Sequence, residues 1–166
     1  MKCDSPYAKK LRDWFGETHE ERLRNANITN TIFWGSKDWE EFQSKEYWDS
    51  QTDVRERVKR FCFEQVRTMV IAVRPAAILL CSLENARLWQ ERIVDNWVAD
   101  SEEKSVFRKG WAVFRKGLAQ VKDLEVPTLA VSHPSGARRK VYQDESLVKE
   151  LHAFLEAHGP DVPNVP

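Results

Sequence analysis

The sequence lacks several features that define whole classes of protein. No run of 18 apolar residues occurs in its 166 residues, and the first ten, MKCDSPYAKK, contain no apolar core of a signal peptide. We therefore expect no membrane span, no export by a signal peptide and a cytoplasmic location. Phosphate-binding P-loops and dinucleotide fingerprints are absent as well. The length fits a single domain over residues 1–158, followed by a disordered tail at 159–166.

An excess of charge of either sign is also missing. Lys plus Arg and Asp plus Glu both number 26, which argues against a general phosphate-binding protein and predicts a modest DNA affinity that falls with salt. The cysteines are odd in number and show no metal-ligand spacing, so we expect reduced thiols and no metal site at Cys3, Cys62 and Cys81. Three histidines lie among charged helical neighbours and are expected to be solvated: His19, His152 and His158.

Helical periodicity is clearest between Thr52 and Pro75. Apolar residues recur there at helical spacing, while the opposite face carries Arg55, Glu56 and Lys59. The pattern predicts one long amphipathic helix, with an apolar stripe formed by Val54, Val58, Phe61, Cys62, Val66, Met69, Val70 and Val73. Shorter periodic stretches predict further helices at residues 5–15, 38–48, 84–97 and 144–157.

Three short apolar stretches, at residues 27–34, 77–83 and 126–132, predict buried strands. Residues 106–122 contain a small duplication of the sequence VFRKG and predict a helix. Two glycines in that stretch would each cost a helix about 1 kcal/mol, so a pair of strands is the alternative. Helices alternate with strands that no hairpin turn connects. This order predicts an α/β protein, with a mostly parallel central sheet between two layers of helices.

A polar loop follows the last predicted strand, in the sequence VSHPSGAR. His133 is expected at the edge of the sheet, where ligands of such folds bind. Pro134 fixes φ, and Gly136 allows the backbone to approach a ligand closely. The hydroxyl of Ser135 and the amides of the loop suit a phosphate oxygen, and the basic cluster 138–140 follows directly. The alternative is an ordinary turn whose histidine caps a backbone carbonyl.

The loop HPSGAR resembles the second signature motif of the uracil-DNA glycosylase superfamily, in which an HPS or NPSG loop follows the last strand. Thr29 and Asn30, at the end of the first predicted strand, are similar to the TN of that family. The segment 57–81 resembles its helix, proline and apolar central strand, and the family usually has Gly where Ser82 stands. The resemblance extends over residues 5–155 and implies a three-layer α/β/α fold of the glycosylase type.

The resemblance also implies an activity and its residues. A glycosylase swings a uracil, or a related base, out of DNA and hydrolyses its N-glycosidic bond in base-excision repair, without a cofactor or metal. Asn30 would pair with uracil O4 and N3–H, and His133 would donate to O2 as the base leaves with negative charge. Ser135 and Gly136 would hold a phosphate beside the target. Arg138 would enter the gap left by the flipped base.

The first motif of the family, a Gly-rich turn that positions the attacking water, is not found, because Gly16 is the first glycine of the chain. Two explanations are open: an N-terminus lost from this sequence, or a shortened relative that binds nucleic acid without catalysis. A third interpretation drops the resemblance and expects an α/β domain that binds a protein partner. It predicts that Asn30 and His133 lie far apart, whereas both glycosylase interpretations require them in one pocket.

Overall fold

The computed structural model describes residues 9, 11–17, 19, 26, 39–44, 48, 51–99, 114–131 and 145–159. The helices within these ranges are α1 (11–17), α2 (Trp39–Gln43), α3 (Thr52–Val73), α4 (Leu83–Leu88) and α5 (Glu145–His158). The π-helical turn Trp89–Ile93 continues α4. The strands are β1 (Ile78–Cys81), β2 (Asn96–Ala99), β3 (Phe114–Val121) and β4 (Leu124–Val131).

The four described strands form one mixed sheet in the order β1-β4-β3-β2. β1 and β4 are parallel, whereas β3 is antiparallel to both β4 and β2. The predicted α/β class is confirmed. The prediction of a mostly parallel sheet without hairpin turns is wrong for these strands, because a two-residue turn at Lys122 and Asp123 joins β3 to β4. Lys122 has a φ of 59°, so a lysine here occupies the left-handed conformation in which glycine is common.

Several elements lie where the sequence predicts them. The long helix is confirmed as α3, the final helix as α5, and the strands predicted at 77–83 and 126–132 as β1 and β4. α3 ends at Arg74, whose left-handed backbone (φ 49°, ψ 59°) lets its N–H donate to Val70 O before Pro75. The strand predicted at 27–34 lies outside the described residues.

Two predictions between β1 and β4 need correction. The helix predicted at 84–97 is confirmed as far as Ile93, but it ends there with the π-helical turn, and Trp97 lies in β2. Residues 114–121 form one strand, so the prediction of a helix at 106–122 is wrong for them; residues 106–113 lie outside the described ranges. A Cβ on Gly117 would come within 2.6 Å of Val98 O and 2.9 Å of the Trp97 ring. This glycine therefore allows a close approach of β2 to β3.

Alternate residues of β4 belong to two different apolar clusters. Leu129 and Val131 share one cluster with residues of α1 and α5: Leu11, Trp14, Phe15, Leu147, Leu151, Phe154 and Leu155. Ala130 belongs to the other, together with residues of α3, α4, the π-helical turn and β3: Phe63, Val66, Ala86, Leu88, Trp89, Ile93, Ala119 and Val121. Neighbouring side chains of a strand point to opposite faces, so the two clusters lie on opposite faces of the sheet. Helices contribute residues to both clusters.

Candidate functional site

The five residues that the sequence singles out lie outside the described residues: Asn30, His133, Ser135, Gly136 and Arg138. Their separation therefore stays a prediction. The described chain ends two residues short of His133, at Val131, which is fully buried in the first apolar cluster. The end of β4 thus fixes the place where the polar loop leaves the sheet.

β1 ends beside β4 at the same level. The parallel register pairs Ile78 with Thr128 and continues to Cys81 opposite Val131. The chain segments that follow both strands therefore begin at one edge of the sheet. In α/β sheets, ligands bind beyond this carboxyl edge.

The segment that follows β1 turns directly into α4. Ser82 has a φ of 157°, a backbone conformation that glycine adopts at the lowest cost. Its carbonyl accepts from Ala86 N–H at 3.0 Å, and its Oγ accepts from Asn85 N–H at 3.4 Å. The hydroxyl thereby caps the first turn of α4 at the carboxyl edge.

The C-terminal half of α3 is fixed at the opposite end of β4. Arg74 pairs with Asp123 in the β3–β4 turn at 3.3 Å. Arg67 donates to Ile93 O at 2.6 Å and to both carboxylate oxygens of Asp95, at 2.8 and 2.7 Å. The hydrogen bond from Arg67 and the backbone N–H of Lys122 hold the pKa of the Asp95 carboxyl below its ordinary value.

These contacts set the direction of α3 relative to the sheet. Its 22 residues are about 33 Å long, and the 8 residues of β4 span about 27 Å. Because the C-terminal end of α3 lies at the start of β4, a helix of this length directed along the strand would carry its first turns to the level of Val131. That direction would bring the N-terminal half of α3, residues 52–61, towards the carboxyl edge.

Two of the cations in this half contact α2. Arg55 donates to Gln43 O at 2.7 Å, and Lys59 donates to Gln43 Oε1 at 3.1 Å and to Glu56 Oε1 at 2.9 Å. Their side chains are only 17% and 15% exposed. The hydrogen bond from Lys59 is the main reason that the pKa of Glu56 lies below its ordinary value.

Phe61 was expected in the buried stripe of this helix, but its side chain is 59% exposed. The next two residues, Cys62 and Phe63, are buried instead. Three consecutive apolar residues span about 200° of a helix at 3.6 residues per turn, which is wider than one core-facing stripe. This angular span indicates, from the sequence alone, that one of the three side chains faces solvent.

The exposed cations of this half are Arg57 and Arg60. Arg57 lies four residues before Phe61, so both share one side of the helix, and it pairs with Asp53 at 3.2 Å with both side chains well exposed. Arg60 is exposed and forms no ion pair within the described part of the chain. An exposed aromatic ring thus lies within four residues of two exposed arginines, both on its N-terminal side.

The histidines differ in their environments. His19 is buried, with 3% exposure, so the expectation that it is solvated is wrong. Its ring lies 4.7 Å from that of His152, and its Nε2 lies 3.9 Å from Glu156 Oε1. His152 is half-buried, with Nε2 at 3.1 Å from Trp14 O. His158 is exposed, as predicted.

A shallow groove of about 500 Å³ runs along α5 next to these histidines, lined by Glu145, Val148, Lys149, His152, Ala153 and Glu156. Its lining carries charges of both signs and selects no one class of ligand. Among the described residues, no three His, Cys, Asp or Glu side chains are grouped so that they could hold a metal ion. Neither of the two described cysteines, Cys62 and Cys81, forms a disulfide.

The helices of the described ranges include none with the length and apolar content that a membrane crossing requires.

The described part of the candidate site is the carboxyl edge of β1 and β4, together with the start of α4 and the N-terminal half of α3. Comparison with family models, with curated proteins and with solved structures finds no match to this chain.

Proposed function

We propose that this chain is a uracil-DNA glycosylase-like protein, which recognises a uracil flipped out of DNA and hydrolyses its N-glycosidic bond. The observation that carries the proposal is the parallel pairing of β1 and β4, which ends with Cys81 opposite Val131. The loop HPSGAR begins two residues beyond Val131. In this proposal, His133 lies at the edge where ligands of α/β proteins bind.

Two further features support a three-layer fold of the glycosylase type. Helices supply both apolar clusters on either side of β4. The φ of Ser82 is one that glycine adopts most easily, and Ser82 stands where the resembling family usually has Gly. Ser82 belongs to the segment from α3 through β1 to α4, which carries the resemblance outside the HPSGAR loop.

The chemistry assigned to the loop is stabilisation of a departing anion. The flipped uracil leaves with negative charge on O2, and a hydrogen bond from His133 to that atom strengthens as the charge develops. Asn30 selects uracil over cytosine, because the donor and acceptor at the pyrimidine edge are exchanged in cytosine. Ser135 and Gly136 bind the adjacent phosphate, and Arg138 fills the space that the flipped base leaves.

A relative that binds nucleic acid without catalysis is the second candidate. It is favoured by the sequence before Gly16, which holds no Gly-rich turn with a residue to position the attacking water. In such a protein, Asn30 and His133 would still bind a pyrimidine, but hydrolysis would be slow or absent.

Uracil release from labelled oligonucleotides tests the proposal directly. Single- and double-stranded oligonucleotides with one uracil are incubated with the protein, and abasic sites are then cleaved with alkali. We expect strand scission by the wild-type protein, and a rate about 10²- to 10³-fold lower for His133→Ala, because an oxyanion-type hydrogen bond is lost.

The matched control is His158→Ala, which removes an exposed histidine near the end of α5 and should leave the rate unchanged. Equal rates for wild type and His133→Ala would contradict the role of His133. No scission by the wild type, with retained salt-sensitive binding that His133→Ala weakens, would favour the non-catalytic relative.

A further inference from the structure

We infer that the N-terminal half of α3 binds unpaired nucleotides, with Phe61 as a stacking surface and Arg57 and Arg60 as phosphate contacts. The choice of DNA as the nucleic acid rests on the proposed function. The inference adds a strand preference to it: the substrate class is single-stranded DNA, or a locally unpaired segment next to the target base.

The exposure of Phe61 is the first observation. At 59%, it exceeds that of the other exposed large apolar side chains in the described ranges: Met69 at 36%, Val73 at 48% and Val98 at 57%. A phenylalanine that is more than half exposed contributes little to the core, and its ring remains available to a flat partner. Nucleobases stack on such rings regardless of sequence.

Local charge is the second observation. Residues 52–61 carry four cations and two carboxylates, a net charge of +2, in a chain whose total is zero. Arg55 and Lys59 are directed to Gln43, which leaves Arg57 and Arg60 at the surface. Cations next to an exposed aromatic ring match a strand whose bases alternate with phosphates.

Position is the third observation. Arg74 and Asp123 hold one end of the helix at the β3–β4 turn, and α3 is long enough to carry its first turns to the level of Val131, two residues before the HPSGAR loop. Nucleotides adjacent to a base in the proposed site would therefore pass near Phe61. A ring on a convex helix surface can stack only on a base with an open face, which a duplex does not offer.

A protein partner would use the helix differently. Apolar side chains recur along the exposed side of α3 at Phe61, Met69 and Val73, and a helical partner or a second copy of this chain would cover all three. The arginines near Met69 and Val73, Arg67 and Arg74, pair with Asp95 and Asp123, whereas Arg60 beside Phe61 has no ion pair within the described ranges. Met69 therefore provides the matched control, as an exposed apolar residue on the same helix but two turns away from the ring.

The test compares two uracil-free, fluorescently labelled 15-mers by anisotropy: oligo-dT and a chain of abasic sugar-phosphates of equal length. We expect Phe61→Ala to weaken binding of oligo-dT about tenfold and to leave binding of the abasic chain unchanged, because only bases stack. Phe61→Trp should restore the affinity, and Met69→Ala should not change it. Arg60→Gln should weaken both oligomers and reduce the salt slope by about 0.7.

The inference is overturned if Phe61→Ala binds oligo-dT as the wild type does, or if it weakens both oligomers equally. It is also overturned if Phe61→Ala and Met69→Ala both alter the oligomeric state in size-exclusion chromatography while DNA binding stays unchanged, which would identify a protein interface. Thermal unfolding monitored by circular dichroism verifies that each variant is folded.

The same set of variants separates this inference from the proposed function. Because neither oligomer contains uracil, binding through Phe61 without uracil release would support the inference and contradict the glycosylase activity. The opposite outcome is uracil release that depends on His133, while Phe61→Ala changes neither its rate nor the affinity for single strands. That outcome would support the glycosylase activity and contradict the inference.

Discussion

The two ends of α3 use their arginines in different ways. At the β3–β4 turn, Arg67 and Arg74 pair with Asp95 and Asp123. At the carboxyl edge of the sheet, the exposed Arg60 has no ion-pair partner in the described part of the chain. The arginines at the hairpin end thus both join elements of the fold, whereas at the other end Arg55 binds α2 and Arg60 remains exposed.

The cause is the partner that each end meets. The β3–β4 turn has a lysine in a left-handed conformation, and its backbone N–H donates to Asp95 Oδ2 at 2.6 Å. Arg67 neutralises the same carboxylate and so connects α3 to the π-helical turn and to the hairpin. Among the described residues no carboxylate pairs with Arg60, which is the arrangement expected where a ligand supplies the negative charge.

Replacement of one arginine at each end is the strongest test of this difference. We expect Arg67→Ala to lower the free energy of unfolding by about 1.5 kcal/mol, because the partly buried carbonyl of Ile93 loses a charged donor. Arg60→Ala should change it by less than about 0.5 kcal/mol, as is usual for a surface substitution. Urea unfolding followed by circular dichroism measures both, and equal losses would show that the two ends do not differ.

Acid unfolding provides a second, smaller test at the hairpin end. Arg67 and the Lys122 N–H keep the pKa of Asp95 below its ordinary value of 3.8. The stabilisation is therefore present above pH 3.8 and is lost as the pH falls through the lower pKa of the folded state. We expect Asp95→Asn to be less stable than wild type at pH 6 and to lose less stability between pH 5 and pH 2.

Urea midpoints measured across that range verify the sign. If the difference in urea midpoint between wild type and Asp95→Asn stays constant down to pH 2, the pKa of Asp95 is the same in the folded and unfolded states. The paired carboxylate would then be incidental to the hairpin end.

The sequence predicts the elements with long or uniform apolar patterns and the class they form. α3 and α5 have clear helical periodicity, and β1 and β4 are short apolar runs, so local pattern and tertiary packing agree. The β3–β4 hairpin was missed because its turn, Lys122 and Asp123, lacks the glycine or asparagine that marks such turns. β2 was missed because its pairing depends on the close approach to Gly117, which periodicity does not reveal.

One part of the candidate site could also be predicted from the sequence, and another part could not. The end of β4 at Val131 agrees with the strand predicted before the HPSGAR loop, because a buried apolar run ends where polar residues begin. The exposure of Phe61 and the burial of His19 could not be predicted from periodicity alone. Both depend on which neighbouring element covers each side chain: the π-helical turn and α4 share the core with Phe63, and α5 covers His19.

The smallest expected effect is a change in oligo-dT affinity when one carboxylate is removed at either end of α3. Glu64 is exposed three residues after Phe61, and Glu125 is exposed near the β3–β4 turn. Removal of the carboxylate near Phe61 should strengthen oligo-dT binding about twofold in 50 mM salt, because phosphates within about one Debye length are repelled less. Glu64→Gln should show this gain, and it should fade in 300 mM salt.

Glu125→Gln changes the net charge by the same amount at the hairpin end, so it should leave the affinity unchanged. If both variants strengthen binding equally, only the total charge matters and α3 provides no localised contact. If Glu64→Gln alone strengthens binding, and the gain disappears in the Phe61→Ala background, the carboxylate acts on nucleotides held at that ring. The coupling between the two substitutions would then locate the bound strand on the N-terminal half of α3.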